Sequence, residues 1–166
     1  MTRIQLAIED RLAIQDLLTA YSWALDTGDT DAFVNLFTAD GRMVEEVFEE
    51  PDVWEGRAGI RKLSEHYFNV PNFPGRQHHV GQSVFSGSGE RIGVKSFAFV
   101  TECQGKPPYL LRFAGWYDDV VVKEADGQWR FKSRIVRLWD GVVLKNFPGR
   151  GQWVARKRPP ELAIKR

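Results

Sequence analysis

The sequence predicts a single α+β domain whose helices come first and pack on one face of a bent, mostly antiparallel sheet. Three observations carry that expectation. Apolar residues recur at helical spacing before residue 70, strand preference takes over from Arg76 onward, and a strong Asp126-Gly127 hairpin signal sits inside the strand-forming half. A length of 166 residues is ordinary for one domain with its own core.

In chain order, Ile8, Leu12, Ile14, Leu17, Leu18, Tyr21 and Leu25 mark an amphipathic first helix with one buried stripe, stopped by Gly28. Asp29 or Thr30 can cap a short second helix through Phe33, Leu36 and Phe37. Ala39-Asp40-Gly41 then turns the chain into a strand near Arg42 to Phe48. Gly56 to Phe68 places Ile60, Leu63 and Tyr67 at helical spacing, and the loop from Pro71 to Gly75 ends that third helix. Strands follow near 77–86, 91–103, 109–122 and 128–139. The domain is drawn at 1–146. The segment 147–166 carries Pro148, Pro159 and Pro160 among Arg150, Arg156, Lys157 and Arg158, and is expected to be a basic tail lying over the surface or a neighbouring subunit.

Charge and motif content exclude several function classes. With 23 Lys plus Arg against 22 Asp plus Glu, no broad field draws nucleic acid or an anionic membrane, and neither is expected as a partner. Cys103 is the single cysteine, which fits a reducing compartment. The first residues alternate charged and apolar types, as neither a signal peptide nor a membrane span does, so a cytoplasmic location is expected. There is no GxGxxG after a strand, no P-loop and no Cys/His cluster. No cofactor and no metal are therefore expected.

Four blocks, AIQDLLTAYSWALDTGDTDAFVNLFTADG, WEGRAGI, RQHHVGQSVF and GWYDDVVVKEADGQWRFKSR, occur in that order. In this succession, covering roughly residues 8 to 140, the chain resembles the SnoaL-like group of the nuclear transport factor 2-like superfamily. The resemblance implies a cone-shaped α+β barrel, with N-terminal helices packed on a strongly curved, mostly antiparallel sheet around one pocket. Scytalone dehydratase, hexachlorocyclohexane dehydrochlorinase and bile-acid dehydratase are relatives that eliminate small groups with an Asp/His pair and no cofactor. That pair falls on Asp26 and His78. Tyr21, five residues before Asp26, resembles the tyrosine of the bile-acid dehydratase and would donate a hydrogen bond. Gln82 takes the place where the family often has Asn. No second His stands between Ile92 and Thr101, which makes scytalone itself a poor substrate.

The chemistry suits such a pair. Removing a proton beside a carbonyl or conjugated system needs a base titrating near neutrality, and a carboxylate on the other ring nitrogen fixes the tautomer and steadies the imidazolium. Strand alternation lets only one of His78 and His79 face the pocket; His78 would share its side with Val80, Gln82 and Val84, and His79 with Gly81, Ser83 and Phe85. Trp54, Phe113, Trp116 and Trp139 are candidates for lining a pocket that holds a small hydrophobic cyclic or aromatic molecule, although aromatic residues are core by default. His66 reads as surface or packing, and Arg112, Arg134 and Arg137, all on strands, read as surface ion pairs, with contact of one of them to a substrate oxyanion as the alternative. The expected activity is a dehydratase-like lyase. An isomerase or cyclase would use the same base, and the same cone also serves as a ligand-binding protein or as the structural small subunit of ring-hydroxylating dioxygenases. Apolar outer strand positions predict a homodimer or homotrimer.

Overall fold

The computed structural model describes residues 4, 6–71, 73–103 and 107–139, together with 157 and 160. The expected tail over 147–166 otherwise lies outside the described residues. Helix α1 (Ile8–Thr27) turns Asp10, Ile14, Leu17, Leu18, Tyr21 and Leu25 toward the sheet. Ile8 and Leu12, placed on the buried stripe by sequence spacing, are 67% and 54% exposed. Each lies two residues from Asp10, about 200° around the helix from the side that meets the sheet.

At Gly28 the backbone takes φ 74°, and the N–H groups of Gly28 and Asp29 close on the carbonyls of Leu25 and Ala24. That left-handed cap ends α1 about two turns beyond Tyr21 and fixes where Asp26 points. A Cβ at Gly28 would stand 2.4 Å from the Phe68 ring. Gly28→Ala is expected to cost about 1–2 kcal/mol from the left-handed backbone. For a chain of this size that is a fall of roughly 3–6 °C in Tm, to be read from thermal unfolding.

Asp29 caps α2 (Thr30–Asn35) by accepting the Ala32 N–H. Strand β1 (Phe37–Glu45) starts earlier than expected, and Ala39-Asp40-Gly41 forms an irregular stretch within it instead of a turn before it. A short strand, β2 (Asp52–Glu55), was not foreseen; it precedes α3 (Gly56–Phe68), which matches its predicted span. Strands β3 (Arg76–Ser88), β4 (Arg91–Glu102), β5 (Leu110–Lys123) and β6 (Trp129–Leu138) follow close to the expected spans. They form a curled, unclosed six-stranded sheet of order β2-β1-β6-β5-β4-β3. The β1–β6 pairing is parallel and the other four are antiparallel, so the sheet is mixed.

Helices cover the concave face, where Ile14, Leu17, Phe33, Ile60 and Leu63 meet Ile92, Val94, Val121 and Phe131. Asp10 fastens the start of α1 by accepting from Lys123 Nζ at 2.8 Å and Trp129 Nε1 at 2.9 Å. No helix among the described residues is long and apolar enough to cross a membrane.

Two register shifts decide which side chains look inward. In β3, Gly81 pairs with Phe97 and Val84 with Lys95, so Gln82 and Ser83 together oppose Ser96. Gln82 takes φ 45°. The bulge breaks the simple alternation: Ser83 and Phe85 join His78 and Val80 on the inner side, while Val84 turns outward. In β6, Phe131 pairs with Val121 and Ser133 with Val120, leaving Lys132 as the extra residue. That shift carries Arg134 to the inner face, opposite Asp119.

Candidate active site

The curl of the sheet leaves a cavity of about 170 Å³ between the C-terminal half of α1 and the concave strands. Tyr21, Glu45, Tyr67, His78, Phe113 and Tyr117 are among the side chains that line it. Asp26, in the last turn of α1, reaches β3. Its Oδ1 lies 2.5 Å from His78 Nδ1, and its Oδ2 accepts the backbone N–H of His78 at 2.7 Å. An ionised carboxylate only accepts, so the proton of the neutral ring belongs on Nδ1. The ring nitrogen left for the cavity is then Nε2. A negative charge at a helix C-terminus is disfavoured by the helix dipole, and here His78 offsets it with two donors.

His79 is directed to the other face of the sheet. Its ring stacks on Phe99 at 4.5 Å, and Nε2 lies 3.1 Å from Thr101 Oγ1. His78 also touches the aromatic lining: Tyr21 stands edge-on to it at 6.4 Å and Phe73 is tilted against it at 5.9 Å. Among the described residues, the Tyr21 hydroxyl donates to a weak acceptor, Met43 Sδ at 3.7 Å. Burial is the main cause that pushes the phenols of Tyr21, Tyr67 and Tyr117 above their usual range, so all three are protonated donors at neutral pH.

Among the expected substrate contacts, only Phe113 lines the cavity. Gln82 lies in the β3 bulge, and Trp54 is buried with its indole N–H donated to Glu45 at 3.1 Å. Trp116 and Trp139 belong to the outer side. Trp116 pairs across strands with Phe97 and lies 5.1 Å from the Lys95 ammonium, while Trp139 meets Phe97 edge-on at 4.8 Å. His66 packs between Trp54 and Tyr67.

Sequence reasoning missed two charged groups. Glu45 is 4% exposed, and its carboxylate accepts from Trp54 Nε1 and from the Tyr67 hydroxyl. The pattern Met43, Glu45, Val47 on one side of a strand carries that signal, because the charge interrupts an apolar face. Arg134, read as a surface residue, is instead fully buried. It donates twice to Asp119, from Nε at 2.8 Å and Nη2 at 2.7 Å, and its guanidinium lies 3.9 Å from the Tyr21 ring centroid and 4.2 Å from that of Tyr117. The correction has a plain cause: without the Lys132 bulge, alternation would leave Arg134 outside. Among the described residues, no group of three or more His, Cys, Asp or Glu could hold a metal ion.

The SnoaL-like domain family matches residues 6–135. The chain belongs to that family. It is similar to a Mycobacterium tuberculosis protein of unknown function, at 25% identity and TM-score 0.69, over 81% of this chain and 75% of the other. A Novosphingobium aromaticivorans protein described as an aromatic ring hydroxylase is 26% identical, with TM-score 0.69, over 82% of this SnoaL-like chain and 94% of its own. A protein of the same organism described as a scytalone dehydratase shares the fold, at 24% identity and TM-score 0.66, over 80% of this chain and 86% of its own. No curated protein matches the chain at a significant level.

Proposed function

We propose that this SnoaL-like protein is a cofactor-independent, dehydratase-like lyase for a small hydrophobic cyclic or aromatic carbonyl compound. The observation that carries the reading is the Asp26–His78 pair. Both carboxylate oxygens are committed to one histidine on the cavity wall, the ring through Nδ1 and the backbone through its N–H. In this reading His78 Nε2 removes the proton beside the substrate carbonyl, Asp26 holds the tautomer and stabilises the imidazolium, and Tyr21 donates to the oxygen on which enolate charge develops. A cavity near 170 Å³ suits one ring, since a dry cavity of about 150 Å³ takes up benzene. The resemblance to proteins described as a ring hydroxylase and a scytalone dehydratase supports a ring-shaped substrate.

Incubation with cyclohexanone in D2O tests the proton-transfer step. The wild-type protein is expected to introduce deuterium beside the carbonyl, read by mass spectrometry, and His78→Ala is expected to lose that activity. Equal incorporation by both proteins would refute the reading.

The same proposal pairs two or three copies through the outer sheet face, where Phe97, Phe99, Leu111 and Trp139 are exposed. Light scattering should give a dimeric or trimeric mass at micromolar concentration; a monomeric mass would contradict the pairing.

A further inference from the structure

Two phenols on the cavity wall stand over one buried cation. Tyr21 comes from α1 and Tyr117 from β5, and both line the cavity that His78 lines. Their rings meet at 5.9 Å with 70° between the planes. Tyr117 is 2% exposed, and among the described residues its hydroxyl has no hydrogen-bond partner. The third phenol, Tyr67, is already committed to Glu45. A buried hydroxyl without an acceptor is costly, so the O–H groups of Tyr117 and Tyr21 are donors left for whatever fills the cavity. Arg134 lies behind both rings and also 4.2 Å from the centroid of Phe131; Asp119 holds its Nε and Nη2, while Nη1 has no partner among the described residues. Burial raises both phenols most, and the Arg134 charge is the main influence that opposes the rise. A cation behind a phenol strengthens its O–H as a donor, above all toward an anion. Among the other charges, Asp26 and Glu45 disfavour an anion here and Asp119 offsets part of Arg134; Arg76 and Arg112 line the cavity and favour one, with Arg112 paired to Glu102.

We infer that Tyr21 and Tyr117, with Arg134 behind them, form a two-donor hole for an oxygen anion carried on a ring, so that the ligand class of the cavity is an enolate or a phenolate. As a catalytic element the hole rests on proton abstraction by His78; as a binding site for a ring-borne oxygen anion it stands without it. Tyr21 and Tyr117 touch the oxygen, and Arg134 acts through them as a positioning residue. When the ligand is a ketone, the electron pair released by the broken C–H bond ends on the carbonyl oxygen, where both phenols donate to it. When the ligand is a phenol, its O–H bond gives the proton to the buffer, the electron pair stays on oxygen, and the same two donors meet it. Asp119 is needed to hold the guanidinium edge-on through Nε and Nη2, which leaves its face to the two rings.

4-Nitrophenol is the probe, because its anion absorbs in the visible and its neutral form does not; nitrobenzene is the control of like size without the hydroxyl. At a pH where the free probe is mostly neutral, the wild-type protein is expected to raise the ratio of phenolate to phenol in the bound probe about tenfold over that in buffer, which is one pKa unit. Tyr117→Phe and Tyr21→Phe should each lower that bound ratio about tenfold, the scale of one hydrogen bond to a charged group. Both should keep their affinity for nitrobenzene, a contrast that lost packing would not produce. The double variant Arg134→Met with Asp119→Leu should bind both probes and hold 4-nitrophenol in its neutral form. Because the two Tyr→Phe variants keep the rings that cover Arg134, they carry the test should the double variant fail to fold. His78→Ala should retain the phenolate band. Loss of the band in that variant, with Tyr117→Phe unaffected, would put the partner of the anion on His78 and overturn the assignment. A bound probe that stays neutral in the wild-type protein, or no binding of it at all, would also overturn it. A phenolate band in a protein that exchanges no deuterium into cyclohexanone would remove the proton-abstracting reading of His78 and leave the hole in place.

Discussion

His78→Ala is expected to abolish turnover of any substrate of this protein while leaving the fold standing. The ring contributes no large apolar area, sits near the edge of the sheet, and leaves behind an Asp26 carboxylate that still accepts the backbone N–H of residue 78. What is removed is the base. Asp26→Asn keeps the shape but replaces an acceptor-only group with an amide whose nitrogen donates, so Nδ1–H is no longer the enforced tautomer and the imidazolium loses its counter-charge. A loss of about a hundredfold or more in kcat is expected, as in other oriented-base systems. His79→Ala should alter kcat little, since that ring stacks on Phe99 on the far side of the sheet. Steady-state kinetics on the three variants checks the ordering, and a His79 effect larger than the His78 effect would reverse the assignment.

The largest stability effect is expected at Arg134. Its guanidinium and the Asp119 carboxylate are both fully buried and bonded through two parallel N–H···O contacts, beneath Tyr21 and Tyr117. Removing one member leaves the other charge without compensation in the core, a cost of about 3–5 kcal/mol. Arg134→Met should therefore remove a large share of the stability of an ordinary domain, about 5–15 kcal/mol. The double variant Arg134→Met with Asp119→Leu should be more stable than Arg134→Met alone, because no orphaned charge remains. Denaturant unfolding of the three proteins provides the comparison. A loss below about 1 kcal/mol in Arg134→Met would show that Asp119 finds another partner.

Fold order was legible because it rests on simple periods, whereas the Asp26–His78 meeting was implied by the family resemblance. Helical spacing from Ile14 to Leu25 and the Gly28 stop place Asp26 at the end of α1, and alternation then sends one of two adjacent histidines inward. Legibility ended at the bulges. The extra residue at Gln82 exchanged the faces of Ser83 and Phe85 with that of Val84, and the extra residue at Lys132 brought Arg134 into the core. Nothing in a period of two signals an inserted residue. Strand β2 was missed because four residues, Asp52–Glu55, are too few to show alternation. The tryptophans failed as pocket residues for another reason: indole area is equally useful in a core, as at Trp54, and on an outer face, as at Trp116 and Trp139.

The central claim, that Asp26 presents His78 to the cavity as a base through Nε2, is tested most directly by long-range proton–nitrogen NMR of the wild-type protein at a pH where the ring is neutral. The account predicts a protonated Nδ1 and a bare, pyridine-like Nε2 for His78, with that preference lost in Asp26→Asn. A His78 ring carrying its proton on Nε2 would contradict it.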